Sequence, residues 1–145
     1  MTFHDQWNDF YSRVTDVAQT LKLYPISGST EEVRLGMPLH EAITQPAGMF
    51  SAPSLFGLAD ISGTWLAMHN VPQGVFPLAV ASSINVVANT RDGDVYSVSR
   101  IVRAGRTVIV TDTEIFSQKD DTLIAKMSCT YSVPRPKKDA QPPSV

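Results

Sequence analysis

Ser54-Leu55-Phe56-Gly57-Leu58-Ala59-Asp60-Ile61-Ser62-Gly63-Thr64-Trp65-Leu66-Ala67-Met68-His69 is the stretch on which the fold turns. Leu55, Leu58, Ser62, Trp65 and His69 recur every three or four residues, so they share one face of a helix, broadened by Ala59 and Leu66. The other face, with Phe56, Gly57, Asp60, Gly63, Thr64 and Ala67, consists mostly of small residues around one acid. Gly57 and Gly63 each cost a helix about 0.8–1.0 kcal/mol relative to alanine. Close approach of another backbone is the expected compensation. A helix this apolar needs a cover.

The cover follows it. Beyond Pro72 and Gly74 the hydrophobic period changes from helical to two. Residues 79–87 are apolar and β-branched, 95–102 follow the turn Asp92-Gly93, and 107–116 follow the turn Ala104-Gly105. In the last strand Leu123, Ala125, Met127, Cys129, Tyr131 and Val133 alternate with mostly polar residues. Connections of hairpin length predict that these four strands are antiparallel neighbours in chain order. Upstream, residues 32–37 form a short strand that Gly36 weakens, and 38–48 are irregular. At the N-terminus Phe3, Trp7, Phe10, Val14, Val17 and Leu21 predict one amphipathic helix over about residues 3–22, opened by a Thr2–Asp5 capping box. Pro25 and Ser27-Gly28-Ser29-Thr30 end it in a loop. The result is an α+β architecture, an antiparallel sheet wrapped around a long central helix, with an extra N-terminal helix. One domain spans 1–133, and 134–145, with four prolines, reads as a flexible tail.

Composition narrows the function. A chain of 145 residues with 43% hydrophobic and 18% charged residues has material for one core. Its net charge of −2 leaves no footprint for nucleic acid, and the basic residues are scattered apart from Arg135, Lys137 and Lys138, so no membrane-surface role is expected. The single cysteine, Cys129, excludes an intrachain disulfide or a cysteine zinc cluster and reads as a core thiol. His40 and His69 have no partners at metal-ligand spacing and read as structural. Met1-Thr2-Phe3-His4-Asp5 lacks the features of a signal peptide, and no apolar run reaches about 18 residues, so a cytoplasmic location is expected.

One longer run resembles a known family. Gln45-Pro46-Ala47-Gly48-Met49-Phe50-Ser51-Ala52-Pro53, leading to Asp60, resembles the hotdog fold of the 4-hydroxybenzoyl-CoA thioesterase superfamily, specifically its phenylacetate-degradation branch. That branch carries Asn or Gln, two residues, Gly, two residues, His-Gly-Gly, and an acid seven residues further on. Gln45, Gly48 and Asp60 fall on this spacing, whereas Ser51-Ala52-Pro53 replaces His-Gly-Gly. Arg103-Ala104-Gly105-Arg106 resembles the family's basic hairpin, and the likeness covers about residues 32–133.

The resemblance implies an acyl-CoA thioesterase. Asp60 would activate water or attack the thioester, while the Ala52 N–H at the helix start and the Gln45 amide would hold the carbonyl oxygen. Ser51 would offer a hydroxyl in place of imidazole, and Pro53 is tolerated in a first helical turn. Arg91, Arg103 and Arg106 would take the CoA phosphates. The family's water-holding Ser or Thr on the next strand corresponds here to Ala79, with Ser82 and Ser83 nearby. CoA would be part of the substrate, with no cofactor and no metal. Two chains would pair through sheet edges and helices into a homodimer or homotetramer, so that Asp60 faces the partner's helix start. Burial would raise the Asp60 pKa, and the partner's helix terminus would lower it. The alternatives are a non-catalytic hotdog protein that binds acyl-CoA or another apolar ligand, and an interaction domain using only the fold's dimer surface. A hotdog dehydratase is disfavoured, because no histidine lies near position 51.

Overall fold

The computed structural model describes residues 1–135 and 144, so most of the tail expected at 134–145 lies outside the described residues. Three helices, α1 (Phe3–Arg13), α2 (Val17–Leu21) and α3 (Ala52–Met68), accompany six strands. These are β1 (Tyr24–Gly28), β2 (Glu32–Met37), β3 (Leu78–Val86), β4 (Val95–Ala104), β5 (Val108–Ser117) and β6 (Leu123–Ser132). They form one antiparallel sheet in the order β1-β2-β4-β5-β6-β3. The α+β architecture is the one expected, with α3 packed across the sheet.

Three expectations are corrected. The first concerns the N-terminal helix, which breaks in two at Val14. That residue has extended backbone, and Asp16 starts a new helix by accepting from Ala18 N at 2.7 Å within a capping box shared with Gln19. Two β-branched residues followed by a good cap outweigh the continuous periodicity. The restart changes phase, so Ala18 and Leu21 are buried while Val17 is exposed. The Thr2–Asp5 capping box forms as expected.

The second is the supposed loop after it, which holds β1. Pro25 fits there because β1 is an edge strand with a register shift between Pro25 and Ser27. Gly36, which seemed to weaken β2, is required by β1: a Cβ at that position would collide with the Tyr24 ring. Third, β3 does not neighbour β4. It crosses to the far edge and pairs with β6, Ser82 opposite Cys129 and Val86 opposite Ala125. Only β4, β5 and β6 run as a meander.

Helix α3 is enclosed on more sides than its periodicity suggests. Leu55, Leu58, Ala59, Trp65 and Leu66 are buried as expected, and Ile61, Gly63, Ala67 and Met68 are buried as well. Ser62 sits among the apolar positions because its hydroxyl is bonded by Ser97 at 2.9 Å and Ser99 at 2.8 Å beneath the helix. Phe3, Trp7, Phe10 and Tyr11 of α1 gather around Trp65, with Trp7 and Trp65 centroids 5.1 Å apart. The glycines of α3 make room for side chains, not for another backbone. A Cβ at Gly63 would lie 2.6 Å from the Tyr131 hydroxyl, and one at Gly57 would lie 2.7 Å from Leu21 Cδ1.

β3 is the exception to this burial. Nearly all of it is open, and Leu78, Val80 and Val86 are 53%, 62% and 42% exposed, with Val87 just beyond at 64%. Among the described residues nothing pairs with its outer edge. No helix among the described residues is long and apolar enough to cross a membrane.

Candidate active site

The start of α3 leaves one backbone donor unused. Ser51 is the N-cap, with extended backbone, and its hydroxyl accepts from Ser54 N at 3.3 Å. Ser54 N and Leu55 N also reach Ser51 O, each at 3.1 Å, and Pro53 has no N–H. Among the described residues, Ala52 N–H is therefore the first-turn donor without an acceptor. Its φ is not positive, so alanine serves there without strain. Ser51 thus caps α3 as an acceptor, and its hydroxyl proton has no acceptor among the described residues.

The approach to this terminus is a tight turn. Gly48 N bonds Gln45 O at 2.9 Å, Gln45 N bonds Met49 O at 2.9 Å, and Gln45 Oε1 accepts from Ala47 N. With Oε1 occupied, the Gln45 Nε2 donors stay uncommitted among the described residues. Two residues of the β3–β4 connection brace the turn. Asn89 accepts from Phe50 N at 3.2 Å and donates to Phe50 O at 2.9 Å, and Arg91 Nε donates to Ala47 O at 2.9 Å. Asn89 looked like any turn residue in the sequence, because its partner lies 39 positions away.

Two turns along α3, Asp60 is half-buried, and among the described residues no donor bonds its carboxylate. Burial raises its pKa, and the Asp16 carboxylate adds to the rise. Asp16 itself is well held, accepting from Ala18 N and, at 3.1 Å, from the Tyr11 hydroxyl. Thr64, one turn beyond Asp60, donates to the Tyr131 hydroxyl at 3.3 Å. Thr64 could be picked from the sequence by its i+4 spacing; Asp16 and Tyr131 carried no signal, because only the fold brings them here.

The family model for the thioesterase superfamily matches residues 48–124, which is more than half of the chain. This chain belongs to the thioesterase superfamily. A search of curated proteins by sequence found no significant match. Among solved structures, a thioesterase from Haemophilus influenzae is 17% identical, with a TM-score of 0.86, over 96% of this chain and 95% of that one. Zebrafish thioesterase superfamily member 2 is 19% identical, with a TM-score of 0.82, over 92% and 99%. A Streptococcus mutans protein bound to acetyl-CoA is 21% identical, with a TM-score of 0.71, over 80% and 91%. At such identities the likeness establishes the hotdog fold.

Within this thioesterase-superfamily chain, the three arginines singled out from the sequence separate. Arg91 braces the turn before α3, whereas Arg103 and Arg106 flank the β4–β5 hairpin near the other end of the helix. There a cleft of about 780 Å³ is lined by His69, Pro72, Gly105, Arg106, Val133 and Arg135. His69 Nδ1 donates to Trp65 O at 2.9 Å and Nε2 lies 2.9 Å from Gln6 Oε1, while burial lowers its pKa. Ala79 lies opposite Tyr131, and Ser82 is engaged with Cys129 Sγ at 3.2 Å.

Proposed function

We propose that this protein is an acyl-CoA thioesterase of the phenylacetate-degradation type, in which Ser51-Ala52-Pro53 does the work of His-Gly-Gly. The observation that carries the reading is a pair of unspent groups on one helix, the free Ala52 N–H and the desolvated Asp60 carboxylate. A helix N-terminus suits an oxyanion and a desolvated carboxylate suits a base. Eight residues separate them, about 12 Å along the axis at 1.5 Å per residue. No single thioester carbonyl reaches both groups in one chain, which supports an oligomer in which Asp60 meets the partner's Ala52. The open, apolar β3 is suited to that pairing. The protein acts as a homodimer or homotetramer of one hotdog domain, residues 1–133, in the cytoplasm.

In the reaction, Asp60 takes a proton from a water that also donates to Thr64 Oγ1. The water oxygen adds to the thioester carbon, and the Ala52 N–H with Gln45 Nε2 holds the oxyanion. Collapse breaks the carbon–sulfur bond, and the proton on Asp60 passes to the departing CoA sulfur. The hairpin arginines Arg103 and Arg106 face the CoA phosphates, while Arg91 serves the site through the Ala47 turn.

The test is CoA release from a panel of acyl-CoAs graded in chain length and aromaticity. Turnover of at least one member is expected. Tight CoA-ester binding without turnover identifies a binding protein, and no affinity for any member sinks the reading.

A pH dependence follows. Asp60 must be ionised to act as base, so its raised pKa places the acid limb of kcat/KM above the ordinary aspartate range. Asp16→Asn removes the like charge and is expected to move that limb to lower pH. Burial, the larger cause, remains in the variant, so the move is partial. A limb that stays in place or moves upward refutes the assignment.

A further inference from the structure

We propose that Tyr131 is a positioning residue for hydrolysis, its phenol fixing the Thr64 hydroxyl so that Thr64 turns lone pairs, not its proton, toward the attacking water. The inference rests on the thioesterase reading above. Tyr131 and most of its strand β6 lie beyond the stretch matched by the family model, residues 48–124.

Tyr131 sits on the inner face of β6 and is wholly buried. Its hydroxyl touches α3 at two points, Asp60 O at 3.4 Å and Thr64 Oγ1 at 3.3 Å. The hydrogen inventory fixes the direction of both contacts. A carbonyl oxygen only accepts, so the single phenol proton goes to Asp60 O. The phenol oxygen then has nothing left to give Thr64, and the Thr64 hydroxyl must donate to it. That spends the Thr64 proton inside the protein.

The consequence falls on the water. If the Thr64 proton were free, it would donate to the water and draw a water lone pair toward the helix. With that proton committed, the water donates one hydrogen to Thr64 Oγ1 and the other to the Asp60 carboxylate. Its lone pair is then left for the thioester carbon. Two further features hold the arrangement. Burial pushes the Tyr131 pKa well above the ordinary phenol value, so the proton is present throughout the working range. Gly63 leaves the space the phenol oxygen occupies, since a Cβ there would lie 2.6 Å from it. Phenylalanine would fill the same space in the core without a hydroxyl that has to be satisfied.

The test compares steady-state hydrolysis of the best acyl-CoA by wild type, Tyr131→Phe, Thr64→Val and the double variant. Tyr131→Phe is expected to lose about tenfold or more in kcat, the scale of one hydrogen bond felt in the transition state, with KM within about twofold. Thr64→Val is expected to match it. The double variant should be no slower than Thr64→Val alone, because the phenol acts through Thr64. Wild-type kcat in Tyr131→Phe, or losses that multiply in the double variant, overturns the inference. If Tyr131→Phe does not fold, Gly63→Ala probes the same contact by crowding the phenol oxygen, and unchanged kcat there also overturns it. A wild type with no Asp60-dependent CoA release defeats the thioesterase reading itself, whereas a normal wild type beside an unaffected Tyr131→Phe defeats this inference alone.

Discussion

Asp60→Asn is expected to abolish thioester hydrolysis and, at neutral pH, to raise the melting temperature. The first effect follows from the loss of the base. Asparagine keeps the shape of the side chain but takes up no proton, and general-base contributions of about 10²–10⁴-fold set the scale of the fall in kcat. The second follows from linkage. The folded-state pKa of Asp60 is raised, chiefly by burial and then by Asp16, so folding disfavours its ionised form. Wild type therefore regains stability from this group as pH falls through the raised folded value, and the gain is complete below the unfolded value of about 3.9. The neutral amide carries no such penalty at any pH. Thermal melts of wild type and Asp60→Asn should be furthest apart near pH 7 and converge toward pH 4. A variant that is inactive but less stable at pH 7 would mark Asp60 as a structural carboxylate, and one that retains wild-type turnover would remove it from the reaction.

What the sequence made legible was whatever depends on local pattern. The helix around Asp60, strand β2 and the alternation of β6 are each set by residues close in the chain, and the structure has all three. The run from Gln45 to Asp60 marked the candidate site through its resemblance to the family's motif, and the structure has Ala52 at the start of α3 with Asp60 two turns along it. Apart from the local break at Val14, the failures share a cause, which is that the deciding partner is remote. Pro25 spoke for a loop until β2 supplied an edge for β1. A meander was the natural reading of four strands in succession, but β3 is joined to β6 through pairs such as Ile84 with Met127. Gly63 raised the right question, close approach, and only the fold shows that Tyr131 fills the space. Asn89 had no local mark at all, and Asp16, legible as a helix cap, gave no sign of its approach to Asp60. Their roles arise from residues brought together across the chain.

Activity should reappear when two inactive variants are mixed, if the two halves of the site belong to different subunits. Ala52→Pro removes the unused N–H and little else. Proline suits the first helical position, and Ser51 already has the extended backbone required before a proline, with φ −69° and ψ 149°. Asp60→Asn removes the base. In a two-fold dimer whose sites each combine Asp60 of one chain with Ala52 of the other, both homodimers are dead. The mixed dimer, however, has one site with both defects and one with neither. Random re-pairing of equal amounts makes half the dimers mixed, so about a quarter of wild-type activity should return at saturating substrate. Recovery should need subunit exchange, and it should fail when Val80→Asp and Val86→Asp place charge on the open strand β3, where the two valines are 62% and 42% exposed. Those β3 variants should also run as monomers near 15.8 kDa in sedimentation. If the mixed sample stays dead although native mass spectrometry shows mixed dimers, Asp60 and Ala52 do not share a site across the interface. In that case the 12 Å along α3 leaves them no common substrate, and the Asp60–Ala52 mechanism fails with the interface.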